Sequence, residues 1–319
     1  MREPRLKEPR LKEPRLRGPR PTLGSRVVPA VLVFALVAGC SHAAAPSAAP
    51  PGQGALASPS PSVSVMLSGG PTPTPTGAPT PTNVPSPTST PALPVSLGTV
   101  LLVPGFGGST DGLAPIAAAL RKAGRHVRIV ALPNRASEGF KRQALTLEAA
   151  VRSEEKLGHG PVDIVAHSNG GVLARYWARH YRGASRVRVV VTLGAPQHGT
   201  TLADFAYAAA PALCTPACVD VRPASALLRA LNAGKDSTAI RWVSVYTDND
   251  NVVLPPTSAV LRGALNVRLQ AVCADAAVDH SGLLGDSLAL GLVLDELQLP
   301  GPRVERLADC VRLRALGAN

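Results

Sequence analysis

The sequence is poor in aromatic residues, and much of its excess positive charge lies in one short segment. It contains four Phe, two Trp and four Tyr among 319 residues, too few for the base-stacking platforms of single-strand binders. Nine basic and three acidic residues within 1–26 supply 9 − 3 = +6 of the formal net charge of +12. Because the remaining charge is spread over a much longer stretch, we expect no nucleic-acid partner.

The apolar run "VVPAVLVFALVAGC", residues 27–40, is too short to cross a membrane. Thirteen residues precede its cysteine, whereas a membrane-spanning helix needs about 17 to 25. A basic segment before a short apolar core is typical of a secretory signal. The end of the run, "VAGC", resembles the lipobox of bacterial lipoproteins, which implies lipidation of Cys40 and attachment to the outer face of a membrane. The alternative is an ordinary signal peptide cleaved after Ala45, which would give a secreted protein.

The chain before residue 94 lacks the composition of a folded domain. Residues 1–40 combine a proline-containing five-residue repeat with the signal segment, and residues 41–93 are rich in Pro, Ser, Thr, Ala and Gly. Such a composition favours extended backbone and buries no core, so we predict a disordered linker over 41–93. Residues 94–319 are enough for one domain, which we expect to be monomeric.

Cysteine is scarce, and the five cysteines form an odd set for an exported chain. Lipidation of Cys40 would leave four, which can pair in an oxidising compartment. We predict a bond between Cys214 and Cys218, across the tight "CTPAC" loop, and a second between Cys273 and Cys310. A metal site at these cysteines is not expected, because no histidine lies at ligand spacing from them.

Within 94–319, apolar runs that are typical of strands alternate with amphipathic helical stretches. The predicted strands are "GTVLLVPG", "RHVRIVAL", "VDIVAH", "RVRVVVTLGAP", "RWVSVY" and "NVRLQAVC", and helices are predicted over 113–123, 139–157, 171–182 and 283–297. Buried runs of Val, Ile and Leu between helices indicate a mostly parallel α/β sheet with helices on both faces. Active sites in such sheets lie beyond the carboxyl ends of the strands.

Ser168 lies at such an edge, in "VDIVAHSNGG". This segment matches the elbow pattern G-x-S-x-G with Ala166 in place of the first glycine, and a strand precedes it while a helix follows it. The pattern requires small residues because the sharp turn brings the backbone and the side chain close together. Ser168 is therefore a candidate nucleophile rather than an ordinary turn serine.

A serine nucleophile needs an oxyanion hole, a base and an acid. The glycine-rich "VPGFGGS" follows the first predicted strand and lacks the lysine of a phosphate-binding loop, so the backbone N–H groups of Phe106 and Asn169 are the candidate donors. His280 follows the last predicted strand and is the candidate base, while His198 is interpreted as structural. Two acids, Asp248 and Asp250, lie just past a strand in "VSVYTDNDNVVLP" and are not distinguished by position.

From about Thr99 onward the chain resembles the small secreted lipases and esterases of the α/β-hydrolase fold, with features of minimal bacterial lipases and of the lipase B type. "VDIVAHSNGG", "VVTLGAPQHGT", "DNDNVVLPP" and "NVRLQAVCADAAVDHSG" carry the resemblance. In such lipases the acid begins a D-x-[IV]-V-x-P run, which implies Asp250 rather than Asp248. The lipase B type also bridges the cysteine of "AVC" toward the C-terminus, which agrees with a bond from Cys273 to Cys310. Pro104 departs from many relatives, which have histidine at that position.

The resemblance implies a serine ester hydrolase with the triad Ser168, Asp250 and His280, acting on acylglycerols or other acyl esters without a metal or an organic cofactor. The alanine-rich stretch 203–218 is a candidate lid or wall of an acyl pocket, or else plain helical packing. Two alternatives remain at this point, namely an acyltransferase and a catalytically inactive, surface-anchored binding protein on the same fold.

Overall fold

A six-stranded parallel sheet forms the centre of the structure. The computed structural model describes residues 98–108, 110–298 and 307–318. The strands are β1 (Val100–Val103), β2 (Val127–Ile129), β3 (Val162–His167), β4 (Val187–Leu193), β5 (Arg241–Tyr246) and β6 (Leu265–Arg268). They lie in the order β2-β1-β3-β4-β5-β6, and every neighbouring pair is parallel. The predicted α/β fold class is confirmed.

Helices cover the sheet on both faces. They are α1 (Ala114–Lys122), α2 (Phe140–Lys156), α3 (Asn169–His180), α4 (Thr201–Ala209), α5 (Pro216–Asp220), α6 (Ala226–Ala233), α7 (Leu269–Val272), α8 (Ser287–Gln298) and α9 (Cys310–Ala318). In β1, Val100 and Leu102 pack into one apolar cluster, whereas Leu101 and Val103 pack into the other. Because alternate residues of a strand face opposite sides of the sheet, both faces are buried. This explains why β1 is apolar at every position.

The strand order reverses beside β1. The chain runs from β1 outward to β2 and then returns to place β3 on the other side of β1. In open α/β sheets, ligands bind in the crevice outside the carboxyl ends of the strands at such a reversal. The loop after β1 and the turn after β3 lie at this place, and these segments carry the glycine-rich stretch and Ser168.

Several predicted elements differ from the structure at their ends; the strand "RHVRIVAL" is reduced to β2, and the helix predicted over 283–297 begins at Ser287. The predicted strand "NVRLQAVC" ends at Arg268, and the chain then forms the short helix α7, which a hydrogen bond from Cys273 N–H to the Leu269 carbonyl closes at 2.8 Å. The helix predicted from residue 171 begins earlier, at Asn169. The turn at Ser168 leads directly into helical backbone at Asn169. Gly170 and Gly171 lie in the first turn of this helix and do not interrupt it.

Two disulfides join the predicted cysteines. Cys214 is bonded to Cys218, and Cys273 is bonded to Cys310, with Cα separations of 5.3 and 5.2 Å. The second bond ties the start of α9 to the segment after β6. Among the described residues, no helix combines the length and the apolar character needed to cross a membrane. Cys40 and the predicted linker 41–93 lie outside the described residues.

Candidate active site

Ser168 lies in a strained turn between β3 and α3. Its backbone has φ 55° and ψ −132°, a conformation that costs of order 1–3 kcal/mol for a residue with a side chain. Two hydrogen bonds hold the turn. Ser168 N–H donates to the Leu193 carbonyl at 2.8 Å, and Gly171 N–H donates to the Ser168 carbonyl at 2.9 Å. The turn has the backbone form that places a serine hydroxyl at the top of an α/β sheet.

Close packing explains the small residues around this turn. A Cβ added at Gly170 would lie 2.6 Å from the carbonyl oxygen of Pro104, and one added at Gly171 would lie 2.5 Å from the Cβ of Ala195. Ala166 is fully buried between β1 and β4. Alanine therefore fits where the elbow pattern has its first glycine, whereas the positions after the serine leave no space for a methyl group.

His280 and Asp250 form a buried hydrogen-bonded pair. His280 Nδ1 lies 2.9 Å from Asp250 Oδ2, and the two side chains are 6% and 1% exposed. The other carboxylate oxygen, Oδ1, accepts the N–H groups of Val252 at 2.9 Å and Val253 at 2.7 Å. Burial raises the pKa of Asp250, but the hydrogen bond from His280 and the two backbone donors outweigh it and lower the pKa below its usual range. Asp250 is therefore a carboxylate that orients the imidazole.

The pair lies beside the serine turn. His167, which immediately precedes Ser168, has its Nε2 3.0 Å from the carbonyl oxygen of His280, and the two rings lie 4.6 Å apart between centroids. Burial and the nearby His280 lower the pKa of His167 to about 3, so His167 is neutral and its Nε2–H donates to that carbonyl. Gly194, with φ +56°, follows β4 at the same edge, and a Cβ there would lie 3.1 Å from His280 Nδ1.

The structure separates the two candidate acids. The Asp248 carboxylate is exposed and pairs with Arg268 at 3.1 Å, whereas Asp250 is the acid that contacts His280. His198 is exposed, and its ring hydrogen bonds to the Val260 carbonyl and to Asn232. These contacts agree with its interpretation as a structural histidine. The catalytic roles of Ser168, Asp250 and His280 remain predictions.

The loop after β1 lies against the serine. A Cβ added at Gly105 would lie 2.5 Å from the Cβ of Ser168 and 3.2 Å from its Oγ. The next residue, Phe106, belongs to this loop and is 41% exposed. Asn169 is the first residue of α3, and the first N–H groups of a helix have no intrahelical acceptor. Both predicted oxyanion donors thus belong to segments that meet at Ser168.

Arg135 also holds the loop after β1, and this role was not predicted from the sequence. Its side chain donates to the Gly107 carbonyl from Nη2 at 2.8 Å, and Gly107 N–H donates to the Arg135 carbonyl at 2.9 Å. Asn134, Arg135 and Ala136 all have positive φ, an uncommon conformation for residues with a side chain. No sequence signal marks this contact, because it joins positions 28 residues apart.

The alanine-rich stretch is exposed and is joined to the loop of Asp250. The hydroxyl of Thr200 donates to the Val252 carbonyl at 2.7 Å, and Thr201 N–H donates to the Leu254 carbonyl at 2.9 Å. Ala203 is the one buried residue of α4. The large apolar side chains of this region are partly or largely exposed, namely Leu202, Phe205, Tyr207, Leu213 and Val219. Plain helical core packing therefore does not describe α4.

Comparisons with known proteins agree with the fold. Residues 98–212 match the family model of the alpha/beta hydrolase fold. The structure is similar to the crystal structure of lipase B from Aspergillus fumigatus, with a TM-score of 0.57 and 20% identity over 69% of this chain and 61% of that chain. It is also similar to the mature form of a lipase from Bacillus licheniformis, with a TM-score of 0.55 and 18% identity over 67% of this chain and 96% of that chain. No curated protein sequence matches the chain.

The sheet order, the serine elbow and the match to the family model over residues 98–212 show that the chain has the α/β-hydrolase fold. The two solved structures named above are lipases, and the likeness at this level of identity is one of fold. The chain spans 61% of the length of the fungal lipase.

Proposed function

We propose that the protein is a serine carboxylic-ester hydrolase with Ser168 as nucleophile, His280 as base and Asp250 as the orienting acid. The buried His280–Asp250 hydrogen bond of 2.9 Å beside the strained Ser168 turn carries this proposal. A serine hydroxyl becomes a useful nucleophile only when a nearby base removes its proton. A histidine whose Nδ1–H is held by a carboxylate presents Nε2 as that base.

The proposed reaction has two steps. Ser168 Oγ attacks the ester carbonyl carbon while its proton moves to Nε2 of His280, and the N–H groups of Phe106 and Asn169 stabilise the oxyanion. Collapse of this intermediate breaks the C–O bond, and the leaving alcohol takes the proton from His280. Water then attacks the acyl-enzyme, with His280 again as base, and releases the carboxylic acid and the free serine.

The acyl part of the substrate is proposed to be apolar. Phe205 is 65% exposed and Leu213 is 51% exposed, in a stretch tied to the loop of Asp250, and Phe106 is 41% exposed in the loop against Ser168. Exposed apolar groups on segments joined to a reactive centre are a surface that an acyl chain would cover. Acylglycerols or other acyl esters fit this surface better than charged esters.

Attachment to the outer face of a membrane is a separate proposal and rests on the "VAGC" sequence that ends in Cys40. A single acyl chain binds a membrane weakly, so stable attachment requires a multiply acylated cysteine. In a Cys40→Ala variant of the full chain we expect the protein to move from the membrane fraction to the soluble fraction. Unchanged membrane association would contradict lipidation at this residue.

Hydrolysis of p-nitrophenyl esters from acetate to palmitate tests the reaction. We expect the full chain to release nitrophenol and Ser168→Ala to lose this activity while keeping its fold, as measured by circular dichroism. The preferred chain length would distinguish an esterase from a lipase. Product that appears only after an alcohol acceptor is added would indicate an acyltransferase, and a folded protein without turnover under either condition would contradict the proposed function.

A further inference from the structure

Three potential metal ligands meet at the edge of the sheet opposite to the serine. His126 immediately precedes β2, Glu154 lies in the last turn of α2, and His159 lies in the loop before β3. The ligand atoms of these side chains all lie within 4.8 Å of one another. Ser168 follows the carboxyl end of β3, whereas these residues are near the amino ends of parallel strands, so the cluster is separate from the candidate active site.

Thr99 lies among the three side chains. Its Oγ1 donates to Glu154 Oε2 at 2.8 Å and lies 2.9 Å from His126 Nδ1 and 3.2 Å from His159 Nδ1. His159 Nδ1 is also 2.8 Å from Glu154 Oε2. The two Nδ1 atoms and one carboxylate oxygen thus surround the Thr99 hydroxyl, and all three lie within 4.8 Å of one another.

Glu154 is buried and directs one carboxylate oxygen, Oε2, toward Thr99 and His159. Arg128 Nη1 lies 3.1 Å from the other oxygen, Oε1, which leaves Oε2 toward the histidines. Both histidines have contact with solvent, since His126 is exposed and the His159 side chain is 38% exposed.

We infer that His126, Glu154 and His159 form a structural binding site for a divalent transition-metal ion of the zinc type. Zinc binds histidine nitrogen and carboxylate oxygen at about 2.0–2.2 Å, which places tetrahedral ligand atoms about 3.4 Å apart. Side-chain shifts of about 1 Å would bring the three atoms to that spacing. In the metal-free arrangement each Nδ1 is placed to donate, because the Thr99 hydroxyl hydrogen is used by Glu154. Metal binding would shift the proton of each imidazole to Nε2, so that the Nδ1 lone pair binds the metal, and a water would complete the tetrahedron.

The role of Thr99 follows from the same geometry. A ligating carboxylate is ordinarily held by a further hydrogen bond, which fixes its orientation and its affinity for the metal. Thr99 is 1% exposed, and its hydroxyl donates this hydrogen bond to Glu154. Bound metal would cross-link the segment before β2, the end of α2 and the loop before β3. Another group of potential metal ligands among the described residues consists of Cys273, Asp275 and Cys310. It is not a metal site, because the two cysteines form a disulfide bond with each other.

Zinc binding to the full chain tests the inference. We propose equilibrium dialysis of the metal-free protein against ZnCl₂, with His126→Ala and His159→Ala as ligand variants. His180→Ala is the matched control, because His180 is an exposed histidine outside the cluster. We expect one Zn²⁺ per chain at this site, with an affinity at least about tenfold weaker in each ligand variant and unchanged in the control.

Crystals soaked in ZnCl₂ would locate the ion independently of the variants' folding. An anomalous peak between His126 and His159 is expected. Zinc that binds the parent and both ligand variants equally belongs to another part of the chain and would overturn the inference. Absence of zinc binding to the parent protein would also overturn the inference. The cluster would then be only a hydrogen-bonded network around Thr99.

Discussion

Replacement of Asp250 by asparagine is the sharpest test of how the histidine is activated. Oδ1 accepts two backbone N–H groups, from Val252 and Val253. The amide oxygen of asparagine must take this position, since an NH₂ group there would face two donors. The amide NH₂ then points at His280 Nδ1 and can only donate. His280 would therefore keep its proton on Nε2, and this nitrogen could no longer accept the proton of Ser168.

The expected loss is large in turnover and small in stability. In serine triads the same change lowers kcat by about 10⁴-fold, which corresponds to about 5 kcal/mol of transition-state stabilisation. The change also replaces a charge-assisted hydrogen bond that contributes about 1.5–3 kcal/mol to stability, but it removes a buried charge at the same time. The two effects oppose each other, so the variant should fold.

The assay is steady-state hydrolysis of a p-nitrophenyl ester, together with urea unfolding of the same samples. Asp248→Asn is the matched control, because Asp248 is exposed and pairs with Arg268 rather than with His280. We expect Asp250→Asn to lose about four orders of magnitude in kcat, and the control to lose less than about twofold. A normal kcat in Asp250→Asn, or a collapse of kcat in Asp248→Asn, would refute the assignment of the acid.

Three further predictions concern the surroundings of the site. Gly105→Ala should lower kcat about 100-fold, because its Cβ would overlap Ser168, whereas Gly112→Ala, whose Cβ meets open space, should not change the rate of ester hydrolysis. Because the pKa of His167 is lowered to about 3, the unfolded state binds more protons between pH 3 and 6.5, so stability should fall with decreasing pH through that window. In urea titrations His167→Asn should flatten that slope, and the total loss of stability removed across the window is at most about 5 kcal/mol. Removal of the Cys273–Cys310 bond, which spans 37 residues, should lower the unfolding free energy by about 4 kcal/mol by loop entropy; a double alanine variant in urea measures it.

Each of these predictions has an outcome that would contradict it. Equal rates in the two glycine variants would show that the loop after β1 does not need close contact with the serine. An unchanged acid slope in His167→Asn would place the titrating group elsewhere. A loss well under 1 kcal/mol on opening the disulfide would indicate that the reduced chain retains structure across the loop.

The central sheet and the serine turn were predictable because their signals are local. All four residues of β1 are apolar, and β3 and β4 each contain an uninterrupted apolar run, over 164–166 and 189–191; burial on both faces makes these runs continuous rather than alternating. The elbow depends on small residues next to Ser168 in the sequence itself. The helix α7 was not predicted, because "LQAV" is as apolar as the strand before it, and a single helical turn leaves no periodic pattern.

The contacts between distant segments had no comparable signal. Asp250 could be separated from Asp248 only through the resemblance to lipases. The two acids are two residues apart, so the alternation of side chains along a strand places both on the same face. Arg135 holds the loop after β1 from a turn with positive φ, which its sequence does not indicate. His126, Glu154 and His159 are brought together by the parallel order of β2, β1 and β3. Their spacing in the sequence matches no metal-binding motif, so only the topology identifies the cluster.

Covalent labelling of the nucleophile tests the central claim most directly. Diethyl p-nitrophenyl phosphate transfers its phosphoryl group to an activated serine, and mass spectrometry of the digested full chain locates the modified residue. We predict one label per chain, on Ser168, which disappears in Ser168→Ala and forms far more slowly in His280→Ala. A label on another residue, or an equal rate in His280→Ala, would contradict the proposal that His280 activates Ser168.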